Sequence, residues 1–183
     1  MTGLDPDKEE IIEIYCLITD GNLNLVDTEG WGTVVHQPAD RMAQMDEWCT
    51  RTHGQSGLTA AVAASTVTPA DAAAGLLGYI RRFVPEPRAA LLAGNSVHAD
   101  RAFLRRPPYN VVVQHLHYRI LDVSSIKEAA RRWCSPAVLE GGPAKQGLHQ
   151  AREDILESIE EARYYRDAIF ARGNDKADGH DSA

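Results

Sequence analysis

The stretch ALLAGNS at residues 90–96 decides the fold of this chain. Its first four residues are apolar, and the glycine, asparagine and serine that follow favour a turn. A short, wholly apolar run is typical of a strand that is buried in a sheet. Residues 97–104 then have a helical pattern. The stretch therefore predicts the succession of strand, turn and helix that characterises an α/β fold.

The segments on either side extend this pattern. Strands are predicted over residues 11–19, 23–26 and 31–36, which would form a hairpin or a three-stranded antiparallel meander, and over 118–123. Helices are predicted at five places: a segment with Met42, Met45 and Trp48 on one face, a short helix from about 56–58, a helix capped by Thr68 that ends near Phe83, a helix capped by Ser124 that runs to Trp133, and a final helix after residue 146. The helix after Thr68 is predicted to point Ala72, Leu76, Tyr79, Ile80 and Phe83 inward. The sequence thus predicts an α/β fold in which helices cover a mixed sheet.

Composition limits the class of protein. The chain has 183 residues, 44% apolar and 25% charged, and these values fit one globular domain. Its net charge of −7 provides no general attraction for nucleic acid or membrane, and no apolar run approaches the length of a membrane span. Three widely spaced cysteines do not suggest a disulfide framework. We expect a domain over residues 1–171 and a disordered tail over 172–183.

The start of the final helix carries one candidate site. His149 lies at or before its first turn and Asp154 about a turn and a half later. An imidazole and a carboxylate so placed could transfer a proton and bind a metal ion. Alternatively, Asp154 is a solvated helix residue and His149 a loop histidine.

Two further candidates follow from position in the predicted sheet. Asp100 comes just after the 90–96 stretch, and ligands of open α/β sheets bind at the carboxyl ends of strands. The alternative is an exposed helix aspartate.

His115 and His117 would share one face if they lay on a strand, as zinc ligands can, but no third ligand has a matching spacing.

An aromatic candidate lies in a polar segment. Trp48, with His53 nearby, could offer a platform on which a nucleic-acid base stacks. Trp48 could equally pack beneath its own helix.

Several short motifs, in order along nearly the whole chain, resemble oligoribonuclease, a small-RNA 3′-to-5′ exonuclease of the DEDDh group. They are Met1-Thr2-Gly3-Leu4-Asp5, Met45-Asp46-Glu47-Trp48, Arg51-Thr52-His53-Gly54, Ser56-Gly57-Leu58, Ala93-Gly94-Asn95-Ser96, Asp100-Arg101, Leu116-His117-Tyr118-Arg119, Leu121-Asp122-Val123-Ser124, and His149 with Asp154. The resemblance is closer to eukaryotic, fungal-like members than to bacterial ones.

The resemblance implies a ribonuclease-H-like sheet and a site with two Mg²⁺ or Mn²⁺ ions. It implies that Asp100 and Asp154 are metal ligands and that His149 is the general base. It also implies that Leu4 and Trp48 wedge and stack the bases, with His53 beside them, and that Ser96 helps to bind the 5′ phosphate. The substrate would be very short single-stranded RNA, dinucleotides above all, cleaved to 5′-mononucleotides.

The same resemblance implies a homodimer. It implies that Tyr118 is a catalytic residue and Arg119 a substrate-binding residue, and that both reach towards the site of the partner copy. We expect a mitochondrial or cytoplasmic location, and no membrane association.

The chain departs from the family pattern in one respect. The family has an Asp-x-Glu motif, carried by an apolar central strand, directly before the residues that match 1–5. Because this sequence begins at that methionine, we expect a truncated form that lacks the central strand and has little activity. The alternative is a non-catalytic remnant that binds short RNA or dimerises with a full-length protomer.

Overall fold

A computed structural model describes residues 1–144 and 151–171. Its strands are β1 (Glu13–Cys16), β2 (Trp31–Val34), β3 (Leu92–Gly94) and β4 (Ile120–Asp122). Its helices are α1 (Ala39–Met42), α2 (Glu47–Gln55), α3 (Leu58–Ala64), α4 (Pro69–Phe83), α5 (Val97–Leu104), α6 (Asn110–His115), α7 (Val123–Trp133), α8 (Pro136–Glu140) and α9 (Ala151–Tyr165), followed by a π-helical turn, Arg166–Phe170. The predicted tail at 172–183 lies outside the described residues, and the 1–171 domain boundary stays a prediction.

The strands pair in two ways, as the predicted mixed α/β fold requires. β1 and β2 are antiparallel, with Glu13 opposite Val34. β3 and β4 are parallel, with Leu92 opposite Ile120. Within the described residues the two pairs are separate two-stranded sheets, and helix α9 packs against both β1 and β3.

Two helices match the sequence prediction closely. Helix α5 covers the predicted range. Helix α4 begins with a capping box, in which the Thr68 side chain accepts from the Asp71 N–H and the Asp71 side chain bonds back to Thr68, and Pro69 takes the first helical position. The face of α4 that was predicted to point inward joins a core cluster with α5 and α6, and includes Leu76 and Ile80.

The predicted strand at 23–26 is wrong. The Asp20 carboxylate accepts the N–H groups of Asn22 and Asn24, at 2.9 and 2.8 Å, and so bends this segment into a turn. Leu23 has φ 66°, which does not fit a strand. Only an isolated bridge between Thr19 and Leu25 remains.

The predicted helical face of Met42, Met45 and Trp48 is also wrong. Asp46 caps the start of α2 by accepting the Cys49 N–H at 2.7 Å, so Met42 and Trp48 belong to separate helices, α1 and α2.

His115 and His117 do not lie on a strand, because helix α6 ends at His115. His115 closes α6, is buried, and contacts the Val84 carbonyl oxygen at 2.8 Å, so it does not form a zinc pair with His117. The predicted cap of α7 is displaced as well, because Asp122 rather than Ser124 occupies the cap position.

Among the described residues, no single helix has the length and apolar composition to cross a bilayer; only α3 and α4 together, bent by 103°, meet that test.

Candidate active site

Asp100 lies in the first turn of α5, directly beyond the end of β3, where the sequence predicted it. Asp100 is an exposed residue of this helix. Even so, desolvation by the surrounding protein raises the pKa of its carboxyl above the ordinary value of 3.8, because it disfavours the charged form. The α-amino group of Met1 acts in the opposite direction by Coulombic attraction.

The amino terminus lies close enough to Glu13 and Asp100 to interact with their charges. Burial lowers the pKa of the Met1 amino group, and Cys49, Glu13 and Asp100 partly offset this effect. The Met1 carbonyl oxygen is 3.0 Å from Nε2 of His53, on α2. His53, predicted to touch substrate, therefore also holds the first residue of the chain in place.

Asp154 lies in the first turn of α9, and its carbonyl oxygen accepts the Ser158 hydroxyl at 2.8 Å. Its carboxylate acts electrostatically on Glu13. Burial raises the pKa of Glu13, the Met1 amino group lowers it, and Asp154 raises it further. Glu13, on β1, was not predicted from the sequence as a neighbour of these groups.

His149, the predicted base, lies outside the described residues. Within residues 1–144 and 151–171, no group of three or more His, Cys, Asp or Glu side chains is arranged to hold a metal ion. Asp100 and Asp154 are thus an incomplete ligand set for the divalent ions that the family pattern implies.

A cluster of hydroxyl groups lies at the start of α5. Ser96 has a left-handed backbone, φ 53°. Its N–H donates to Oδ1 of Asp122 and to Oγ of Ser124, both at 3.0 Å, and the two serine hydroxyls are 3.2 Å apart. This contact brings Ser124, which the sequence had suggested only as a cap, next to Ser96.

Asp122 also pairs with a histidine at 2.9 Å, through Nδ1 of His98. Burial would raise the pKa of Asp122, but hydrogen bonds from His98 and from the N–H groups of Ser96 and Ser124 outweigh it and lower the pKa.

Large apolar side chains are exposed near the amino terminus and on α2. Leu4 is 84% exposed and Trp48 52% exposed. Trp48 is therefore not packed beneath its helix, and both side chains are accessible to a base.

The side chains of His117, Tyr118 and Arg119 stack on one another at the surface. The rings of His117 and Tyr118 are 4.5 Å apart, and the Arg119 guanidinium lies 5.1 Å from the centre of the Tyr118 ring. Tyr118 is 63% exposed. Such a surface suits stacking on a planar ligand.

Comparison with known proteins shows the family of this chain. An exonuclease family model matches residues 1–162. The chain is 47% identical to the mitochondrial oligoribonuclease of Mus musculus over 178 residues, 96% of this chain and 73% of that protein. It is 50% identical to the oligoribonuclease of Marinobacter nauticus over 170 residues, 93% of this chain and 92% of that protein. The chain belongs to the oligoribonuclease family of exonucleases.

Membership makes the chain a nuclease and confirms the predicted family and fold class. A fungal relative, a probable oligoribonuclease of Schizosaccharomyces pombe, is 46% identical over 168 residues, 91% of this chain and 64% of that protein. Metal dependence is consistent with the family. The roles of individual residues stay predictions.

Proposed function

We propose that this nuclease removes nucleotides from the 3′ end of very short RNA, dinucleotides above all, and releases 5′-mononucleotides. The proposal rests mainly on the placement of Asp100 and Asp154 in the first turns of α5 and α9, next to the Asn95 amide that donates to Ser158 on α9 at 3.0 Å. Relatives that match most of the chain are also oligoribonucleases by name.

Mg²⁺ and Mn²⁺ prefer carboxylate oxygens, and Asp100 and Asp154 have the right chemistry to bind them. Two aspartates are too few for two ions, so we propose that an Asp-x-Glu pair on a further strand completes the set. Divalent ions in such sites activate water and stabilise the leaving oxygen. His149 is the proposed base that takes the proton from the water.

The substrate is held by the side chains around this centre. Leu4 and Trp48, both exposed, would contact the two bases by wedging and stacking, with His53 supporting them from α2. Ser96, at the positive end of α5, would donate to the 5′ phosphate. Because stacking reads no base edges, cleavage should tolerate any sequence.

We propose a homodimer in which Tyr118 and Arg119 reach the site of the other copy. Their stack is exposed, so it is available for contact in trans. The location is proposed to be mitochondrial, as in the names of several relatives, or cytoplasmic.

Hydrolysis of a 5′-phosphorylated diribonucleotide with Mn²⁺ tests the activity. Residues 1–183 alone should cleave it negligibly. The same chain preceded by an apolar strand ending in Asp-x-Glu should cleave it at least about 100-fold faster. In that longer form Asp100→Asn should abolish cleavage, whereas the matched change Asp40→Asn, at an exposed position on α1, should not. Turnover by 1–183 at the rate of the longer form would contradict the assigned ligands.

A second function is a non-catalytic one: binding short RNA, or joining a full-length protomer. The observation that favours it is that the described residues contain no group of three potential metal ligands. In this case residues 1–183 should bind the diribonucleotide, or a full-length partner, and the longer form should add no hydrolysis.

A further inference from the structure

A buried carboxylate on α9 begins a chain of hydrogen bonds that the proposed chemistry does not use. Glu161 is only 3% exposed. One of its oxygens accepts from Nζ of Lys127 at 2.9 Å, and the other accepts from Nδ2 of Asn95 at 2.9 Å. A buried charge needs such partners, and here they come from α7 and from the turn after β3.

Glu161 determines which way the Asn95 amide points. Since a carboxylate only accepts, the NH₂ of Asn95 must face Glu161, and its second proton reaches Oγ of Ser158 at 3.0 Å. The amide oxygen therefore faces Ser124, whose hydroxyl donates to it at 3.1 Å. The Glu161 carboxylate thus fixes the direction of all three side-chain hydrogen bonds of Asn95.

The direction of the Ser124 proton has a consequence for Ser96. A serine hydroxyl has one proton, and Ser124 gives it to Asn95. Ser124 must then accept from the Ser96 N–H, and Ser96 must be the donor in the 3.2 Å contact between the two hydroxyls. These bonds help to keep Ser96 in its left-handed conformation, which is unfavourable for a non-glycine residue.

The same chain of bonds reaches the helix that carries Asp154. Ser158, which accepts from Asn95, donates to the Asp154 carbonyl oxygen at 2.8 Å. Asn95 therefore connects the turn before α5, where Asp100 lies, with the first turns of α9.

We propose that Asn95 and Glu161 are positioning residues of the nuclease site. Glu161 orients Asn95, and Asn95 in turn orients the Ser124 hydroxyl. Ser96 is then the donor to Ser124, and on binding it would turn this one proton from Ser124 to the phosphate. This inference rests on the proposed role of Ser96 in binding the 5′ phosphate.

Three variants test it. Asn95→Ala removes the central amide. Glu161→Gln offers one acceptor oxygen to two donors, Asn95 and Lys127, so one of them loses its partner. The double change Glu161→Gln with Lys127→Met removes the competing donor and leaves the Gln oxygen to Asn95. Tyr164→Phe is the matched control, because it removes one hydrogen bond from the same helix, to the Val138 carbonyl oxygen, outside this chain of bonds.

The first measurement is amide hydrogen exchange at Ser96 in residues 1–183, which needs no RNA. Relative to the global unfolding of each variant, exchange at Ser96 should accelerate about tenfold or more in Asn95→Ala and in Glu161→Gln. It should return towards the wild-type rate in the double variant and stay unchanged in Tyr164→Phe. Equal protection of Ser96 in all variants would overturn the inference.

The second measurement is the ratio of dissociation constants for 5′-hydroxyl and 5′-phosphorylated diribonucleotide. Asn95→Ala should reduce the preference for the phosphate about fivefold to tenfold, with a smaller loss in Glu161→Gln and recovery in the double variant. A variant that is less stable but keeps the ratio would show a purely structural role and refute the inference. If the wild type binds neither dinucleotide, the proposed function fails, and the exchange at Ser96 still decides whether Asn95 positions it.

Discussion

Replacing Glu9 by alanine should weaken the fold strongly, because Glu9 anchors the turn that presents Leu4. The Glu9 carboxylate pairs with the Arg41 guanidinium and accepts the Thr2 hydroxyl at 2.6 Å. The Thr2 oxygen in turn accepts from Arg41 at 2.9 Å and from the Glu10 N–H at 2.8 Å. Thr2 is 1% exposed, so this arrangement is largely shielded from water.

The expected loss of unfolding free energy follows from how deeply the Glu9–Arg41 pair is buried. The side chains of Arg41 and Glu9 are only 17% and 19% exposed. Removing one partner of a buried pair costs about 3–5 kcal/mol, and we take the lower end, about 3 kcal/mol, because water reaches part of this pair. For a domain of this size the midpoint of thermal unfolding should fall by about 6–12 °C. Circular dichroism during thermal and urea unfolding measures both quantities.

The control is a surface ion pair. Glu47 and Arg51 on α2 lie 3.9 Å apart with side chains 95% and 56% exposed, and Glu47→Ala should cost about 0.5 kcal/mol or less. Glu9→Gln, which retains hydrogen-bond acceptors for Thr2 and Arg41, should fall between the two. If Glu9→Ala is no more destabilising than Glu47→Ala, the reasoning from burial is wrong.

Three further predictions concern pH, catalysis and packing. The pKa of the Asp122 carboxyl is lowered in the folded protein, so its stabilising contribution is complete above pH 3.8 and is lost as the pH falls through the folded pKa. In urea titrations, the difference in unfolding free energy between wild type and Asp122→Asn should therefore shrink below pH 3.8. A difference that stays constant with pH would contradict this prediction. In the longer form with Asp-x-Glu, His149→Ala should lower the hydrolysis rate about 100-fold or more without changing the unfolding midpoint, and an unchanged rate would exclude His149 as the base. Arg163→Ala should cost about 1–2 kcal/mol in urea unfolding, because its guanidinium donates to the Leu23 carbonyl oxygen; no loss would mean that this contact is not stabilising.

Local signals in the sequence were sufficient where one short segment controls its own structure. The cap at Thr68 and the start of α5 were predicted because side-chain and backbone groups a few residues apart decide them. The same kind of signal explains the errors. Asp20 accepts the N–H groups of Asn22 and Asn24 and so extends the turn into the strand predicted at 23–26. Asp46 accepts the Cys49 N–H and starts a new helix there, which separates Trp48 from Met42.

The candidate site could be predicted only in part. Asp100 and Asp154 were found from their positions at a strand end and a helix start, and the family resemblance gave them their expected roles. Glu13 and Glu161 carried no such signal, since an acidic residue in a strand or helix usually faces water. Their burial comes from elements that are distant in the chain.

Residue type and order were enough to predict the family and the α/β class and to select the candidate site residues, because these follow from patterns along the chain. Tertiary structure alone decided how Asn95 is oriented: its amide meets Glu161 and Ser158 on α9, 66 and 63 residues away, and Ser124, 29 residues away. Hydrogen bonds over such separations depend on how β3, α7 and α9 pack, and local sequence patterns contain no record of that packing.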